Sequence, residues 1–284
     1  MSEKQIFNKA YLEITNVCNL RCSFCKGTER EKSFISRENF RIAVQKLRSV
    51  TGYLYLHILG EPTLHPHLDA LLEICRELDF KVIITTNGTL LDKVKDILLK
   101  SKALHKVNIS LHAFEANSGI DFDKYLDTCF DFAEKLSKHG KICVLRLWNG
   151  DKEEKYGENK LNGKILDLLK QKFSHIWQEN TKGFRIKDKL FLEFAERFEW
   201  RENNVCSEKI NCYGLRDQIG VLVDGRVVPC CIDCDGAITL GNIFTDKLED
   251  IISSPRAAAI AEGFRQGKAT EEYCKKCGFV RTRL

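Results

Sequence analysis

The chain has 284 residues, 43% of them apolar, with 45 lysines and arginines against 40 aspartates and glutamates. That length suits one large domain, or a domain with an appendage. The small basic excess contains no long basic block, which excludes nucleic-acid binding through a charged face, although placed basic residues can still hold an anionic ligand. No apolar run approaches a membrane span, and the N-terminal stretch MSEKQIFNKAYLEIT has no secretory h-region. A soluble, cytoplasmic protein is expected.

Thirteen cysteines stand out against this ordinary background. With nothing pointing to secretion, clustered cysteines suggest metal before disulfides. Ten fall in two groups: Cys18, Cys22 and Cys25, then Cys206, Cys212, Cys230, Cys231, Cys234, Cys274 and Cys277. Cys75, Cys129 and Cys143 sit in apolar or helical contexts and read as small buried hydrophobes.

Strands are predicted at 11–15 (YLEIT), 53–59 (YLYLHIL), 81–86 (KVIITT), 106–111 (KVNISL), 141–147 (KICVLRL) and 189–194 (KLFLEF). Helical patterns lie between them at 36–50, 67–78, 90–100 and 123–140, the first opening on Ser36 and the last closing on Gly140. Six β-then-α units argue for an α/β fold with a parallel sheet and helices outside it. Six is short of the eight strands of a closed barrel, so an open, partial (β/α)6 TIM-like barrel is the preferred reading. A doubly wound sheet is the alternative, which this pattern leaves open.

Residues 151–160 read as a solvated loop. From about residue 200 the rhythm changes, which divides the chain into a barrel over 1–198 and a cysteine-rich extension over 199–284. QIGVLVDGRVVP (218–229) is a hairpin signal, its Asp224-Gly225 favouring a tight primed turn, with a helix expected beyond it. So small a unit has little core of its own, and a metal is a natural staple.

CNLRCSFC (18–25) places three cysteines at C-x3-C-x2-C directly after the first strand, at the end where such folds build their sites. Zinc asks for a fourth ligand nearby, and the next histidine, His57, is a whole βα unit away. A 4Fe–4S cluster held by three cysteines instead leaves one iron open. With aromatic Phe24 before the last cysteine, the loop resembles that of the radical S-adenosylmethionine (SAM) superfamily. The resemblance implies that the open iron is chelated by the amino and carboxylate groups of SAM. It further implies that one electron from the reduced cluster cleaves SAM to a 5′-deoxyadenosyl radical, which abstracts hydrogen from substrate.

Other strand ends agree over residues 10–195. Gly60-Glu61-Pro62 matches the family's GGE-type motif, whose backbone receives the methionyl ammonium, glycine allowing the close approach. TTNG (85–88), with Thr86 and Asn87, resembles the family's exit into the SAM pocket. Ser110 in NISLH matches a position that contacts the SAM ribose or carboxylate, and Arg146 is a further partner for that carboxylate. Flavodoxin or ferredoxin is implied as the electron donor.

Cys212, twelve residues, Gly225, four residues, Cys230 resembles the opening of the SPASM and Twitch extensions of this superfamily. Cys274 and Cys277 add a C-x2-C pair, so that Cys212, Cys230, Cys274 and Cys277 form the implied ligand set of a second 4Fe–4S cluster. A full SPASM domain has further cysteines after that pair, so the Twitch type fits better. Cys206, Cys231 and Cys234 are spare candidates. A structural zinc ribbon on the same four cysteines is the alternative, which spacing leaves open.

Only about ten residues precede the first strand, which suggests no recognition domain and tilts the reading toward a small polar metabolite. Queuine is the specific case: a lyase releasing a 7-deazaguanine. The alternatives are a peptide-modifying enzyme and a dehydrogenase of a sugar or aminoglycoside. Glu13, His112, Arg146, Asn149 and Glu193 are candidates to meet such a substrate, and His57 reads as a hydrogen-bonded core histidine.

Overall fold

The computed structural model describes residues 6–114, 119, 121–148, 161–195 and 206–278. Strands β1 (Lys9–Leu12), β2 (Tyr53–Tyr55), β3 (Lys81–Thr86), β4 (Leu104–Ser110) and β5 (Ile142–Trp148) alternate with helices α1 (Arg37–Arg48), α2 (Leu68–Glu77), α3 (Leu91–Lys100) and α4 (Phe122–Lys138). After α5 (Asn162–Lys172) come β6 (Gln178–Asn180), β7 (Gly183–Lys187) and β8 (Leu190–Ala195). The extension adds β9 (Gln218–Val221), β10 (Arg226–Val228), β11 (Gly241–Asn242), α6 (Leu248–Ile252), α7 (Pro255–Arg265) and α8 (Glu272–Lys275).

Helix boundaries follow local chemistry. Ser36 Oγ accepts the Asn39 N–H (3.1 Å) at the start of α1, and Asp121 Oδ1 accepts the Lys124 N–H (3.0 Å) at the start of α4. Gly140, at φ +76°, follows α4 in the left-handed region. Each helix buries one stripe: α1 buries Phe40, Ala43, Val44 and Leu47, spaced at helical period.

Among the described residues, all strands join one sheet in the order β11-β10-β9-β1-β2-β3-β4-β5-β8-β7-β6. The six expected strands, β1 to β5 and β8, run parallel to one another. The sheet ends in two separate edges, so it is open. One face, carrying Leu12, Leu54, Val82, Ile109, Leu145 and Leu192, packs into a single core with the helices. The other carries Tyr11, Tyr55, Lys106, Asn108, Arg146 and Glu193, by the period of two that separates the faces of a strand. A doubly wound sheet would need apolar residues on both faces. One helix-covered face and one polar concave face make this the partial barrel.

Three details differ from expectation. The segment after Leu12 leaves the sheet early, because Ile14, Thr15 and Asn16 bond instead to the returning segment 31–35. The antiparallel pair β6–β7 enters before the sixth parallel strand. Its outer strand is exposed throughout, so no apolar alternation marks it in the sequence. The β9–β10 connection is not a primed turn: Gly225 lies at φ +87°, but Asp224 is absent from the positive-φ residues. Leu222 accepts the Gly225 N–H and donates to the Arg226 carbonyl, which closes a three-residue loop over Val223, Asp224 and Gly225. Among the described residues no helix is long and apolar enough to cross a membrane.

Candidate active site

The cysteine loop rises from a closed base. Thr15 Oγ1 donates to the Ser33 carbonyl (2.8 Å), Asn16 Nδ2 to the Glu31 carbonyl (2.8 Å), and the Ser33 N–H to Asn16 Oδ1 (2.8 Å). The loop between them holds Cys18 and Cys25 exposed and Cys22 half-buried. A turn from the Cys25 N–H to the Cys22 carbonyl (3.0 Å) orders its centre. The Leu20 and Gly27 N–H groups point at Cys18 Sγ (3.5 Å) and Cys25 Sγ (3.4 Å), an arrangement suited to thiolate sulfur.

Gly60, at φ +75°, fits against this base. A methyl group there would overlap the Thr15 and Val17 carbonyl oxygens. The close approach that glycine permits here is to the chain's own backbone. The next residue continues the seam, the Glu61 N–H donating to the Val17 carbonyl (2.8 Å). Gly60→Ala is expected to lower stability by about 2 kcal/mol through the overlap and the left-handed backbone, read as a fall in urea midpoint. An unchanged midpoint would mean that residues 15–17 move aside freely.

Glu61 is buried and locks two strand ends together. Its Oε1 accepts from the Thr63 N–H (3.1 Å), the Thr63 hydroxyl (2.6 Å) and the Thr86 hydroxyl (2.7 Å); its Oε2 accepts the Asn87 N–H (2.7 Å). Burial pushes its carboxyl up, against the pull of these donors. Pro62 opens the short 3-10 turn that Glu61 caps. Asn87 then reaches the cysteine loop: its Nδ2 donates to Asn19 Oδ1 (3.0 Å), and Asn19 Nδ2 donates to the Thr89 hydroxyl (2.8 Å).

On the far side, Ser110 ends β4 in register with Arg146 of β5, which is in register with Glu193 of β8. Arg146 Nε lies 3.8 Å from the Glu193 carboxylate. His112 stacks on Trp148 with ring centroids 3.9 Å apart, and Phe24 from the cysteine loop meets Trp148 edge-on at 4.2 Å. Burial pulls the His112 pKa down to about 3, so its ring is neutral and serves as wall. Asn149 lies outside the described residues.

Glu13 does not face this space. Its side chain is 0% exposed, and its carboxylate is held by Arg30 Nη2 (2.7 Å) and by the Leu59 (3.2 Å) and Val223 (3.0 Å) N–H groups. The expectation that it meets substrate is corrected: it is a bracket inside the fold. His57 departs in the other direction, since its Nδ1 has no hydrogen-bond partner and its ring lies against Tyr11 (centroids 5.7 Å apart) on the concave side. It is not the hydrogen-bonded core histidine expected.

In the extension, β9 pairs in parallel with β1, so the hairpin continues the barrel sheet. Cys212, Cys230, Cys274 and Cys277 line one pocket together with Phe264 and Tyr273. The three spare cysteines lie elsewhere. Cys206 is exposed, Cys231 hydrogen-bonds Tyr11 on β1, and Cys234 is fully buried beside Lys26 and Arg30. Asp235 accepts from Lys26 Nζ and from the Thr28 hydroxyl (2.8 Å), which fastens the extension to the end of the first cysteine loop. Among the described residues no three His, Cys, Asp or Glu side chains converge on one metal-ion position. A four-iron cluster distributes its thiolates over separate irons.

Residues 12–154, half of the chain, match the radical SAM superfamily. The chain belongs to that superfamily. Residues 212–278 match the SPASM iron–sulfur cluster-binding domain. This radical SAM enzyme is 27% identical over 94% of its length to the antilisterial bacteriocin subtilosin biosynthesis protein AlbA of Bacillus subtilis, of which it spans 64%. Its fold resembles that of Streptococcus suis SuiB bound to the precursor peptide SuiA, with a TM-score of 0.60 and 19% identity over 97% of this chain and 71% of that one. It also resembles BtrN in complex with AdoMet and 2-DOIA, at a TM-score of 0.56 and 18% identity over 96% of this chain and 94% of that one.

A radical SAM enzyme of this domain composition uses a 4Fe–4S cluster, SAM and an auxiliary iron–sulfur cluster. The donor sets fit: three thiols on a loop with N–H groups aimed at sulfur, and four thiols lining one pocket. Reading by motif missed Asn19, Thr63, Thr89 and Trp148, which orient the loop or wall it in. Only TTNG, by including Thr86 and Asn87, gave a hint of them.

Proposed function

We propose that this radical SAM enzyme modifies a peptide, with Cys18, Cys22 and Cys25 holding the SAM-binding cluster and Cys212, Cys230, Cys274 and Cys277 the auxiliary one. The observation that carries the peptide reading is the likeness to AlbA, which runs through barrel and cysteine extension alike. The likeness of fold to peptide-bound SuiB supports it. The small-metabolite expectation, with queuine as its leading case, becomes the second reading, favoured by the nearly full-length likeness to BtrN.

When bound, the cluster and SAM supply one-electron cleavage of SAM and hydrogen-atom abstraction from substrate. Cys18, Cys22 and Cys25 would supply the three thiolates that hold that cluster. Glu61, Asn87 and Asn19 hold the loop against the end of β3, and Phe24, His112 and Trp148 exclude water beside it. Ser110, at the end of β4, would present its hydroxyl to SAM's polar groups. Glu193 steadies Arg146. A flavodoxin or ferredoxin is the natural one-electron donor.

The test incubates anaerobically reconstituted enzyme with SAM, reductant and either the short peptides encoded beside its gene or queuine, following 5′-deoxyadenosine and product masses. A SAM-dependent mass change in a peptide is expected. Release of a 7-deazaguanine from queuine, with every peptide unchanged, would replace the peptide reading by the metabolite one. In the same assay Cys274→Ala/Cys277→Ala should lose peptide modification and stability while retaining some SAM cleavage. Full turnover by a soluble double variant would refute a functional second cluster.

A further inference from the structure

Among the described residues, the concave face of β4, β5 and β8 sets two cations against one carboxylate. Lys106 and Arg146 project from neighbouring strands β4 and β5. Among the described residues, Glu193 of β8 is the carboxylate beside them. Burial lowers the pKa of Lys106, with Glu193 pulling it back up and Arg146 and Lys182 pushing it further down.

The same stretch of β4 carries an orphaned acceptor. Asn108 is 1% exposed, its Nδ2 donates to the Thr85 hydroxyl (3.1 Å), and its Oδ1 has no partner. That oxygen asks for an N–H group. Asn108 and Lys106 are two residues apart on one strand and so share a face. Excess buried charge and an unpaired acceptor both cost free energy. A ligand bringing an anion together with an N–H donor relieves both.

We propose that Lys106, Asn108 and Arg146 form a subsite for an acidic residue of the peptide substrate, its carboxylate meeting Lys106 and Arg146 and its backbone N–H meeting Asn108. This rests on the peptide reading above. The carboxylate comes either from an Asp or Glu side chain or from the peptide's C-terminus, since both present the same group. Charge-assisted contacts of this kind are the stronger hydrogen bonds, and the binding they confer weakens with added salt.

The test is calorimetric titration of the reconstituted, SAM-loaded enzyme with four ligands. These are acetyl-Ala-Ala-Glu-Ala-Ala-amide, the same peptide with Gln for Glu, that Gln peptide as its free C-terminal acid, and glutarate. The Glu peptide is expected to bind about tenfold tighter than the Gln amide, consistent with one charge-assisted contact. Lys106→Gln should erase that preference and Lys106→Arg should restore most of it, iron content serving as the check on folding. A preference for the free acid would assign the subsite to the C-terminus. Binding of glutarate alone, lost in Lys106→Gln, would keep the anion subsite and overturn the peptide reading. Equal binding of the Glu and Gln amides without any advantage for the free acid or glutarate, or a preference that survives Lys106→Gln, would overturn the proposal.

Discussion

Replacing Cys18, Cys22 and Cys25 together by alanine should lower bound iron from about eight atoms per chain to about four, as expected of two four-iron clusters of which one has lost all its protein ligands, and should abolish SAM cleavage. The loop is held from outside itself. Its base is sewn by Thr15 and Asn16, its flank by Asn19 to Asn87 and Thr89, and its exit by Arg30 to Glu13. None of these bonds uses a cysteine side chain, so the triple variant should fold and keep its extension. The measurement is iron, sulfide and zinc content after anaerobic reconstitution, with 5′-deoxyadenosine formation in parallel. About four irons with one zinc in the wild type would leave the radical SAM core intact and make the extension a structural clamp. Unchanged iron in the triple variant would sink the assignment of this loop.

Glu13→Ala should be the most destabilising single substitution in the barrel, at about 3–5 kcal/mol, the range for stripping a partner from a buried ion pair. The carboxylate joins the end of β1 to three otherwise separate segments: Arg30 after the cysteine loop, Leu59 after β2, and Val223 in the β9–β10 loop. Its removal leaves Arg30 charged with fewer partners. Two of that guanidinium's nitrogens, Nε and Nη1, already lack hydrogen-bond partners in the folded protein. Glu13→Gln should lie between, because one amide oxygen still accepts while its NH2 group confronts a donor. Urea midpoints at constant slope measure the difference, and cluster release makes a single melting temperature a poorer guide. A loss below about 1 kcal/mol would place Glu13 among ordinary surface positions and remove its role as a bracket.

The residues that misled sequence reading share a physical cause. Glu13 looked like a substrate ligand because it follows a strand, yet its role depends on Arg30, Leu59 and Val223, which only the folded chain brings to it. His57 looked like core because its neighbours are apolar, but it belongs to the concave set of alternate positions, with Tyr11 and Tyr55. That alternation also separates a partial barrel from a doubly wound sheet. It was present in strands such as KVNISL, where Val107 and Ile109 enter the core while Asn108 does not. The polar β6–β7 pair was illegible, since hydrogen bonding to β8 rather than apolar patterning holds it in place.

The amino-acid sequence alone determined what is local. The C-x3-C-x2-C spacing after the first strand, the glycines at strand ends and the helix caps each depend on residues a few positions apart. The six parallel strands followed from hydrophobic period, whereas their order in the sheet came from the tertiary structure. The family resemblance named four of the seven later cysteines, but their meeting in one pocket depended on the tertiary structure, because Cys230 after β10 and Cys274 in α8 lie 44 residues apart. So did the grouping of Lys106, Arg146 and Glu193, which come from three strands that the sheet brings side by side.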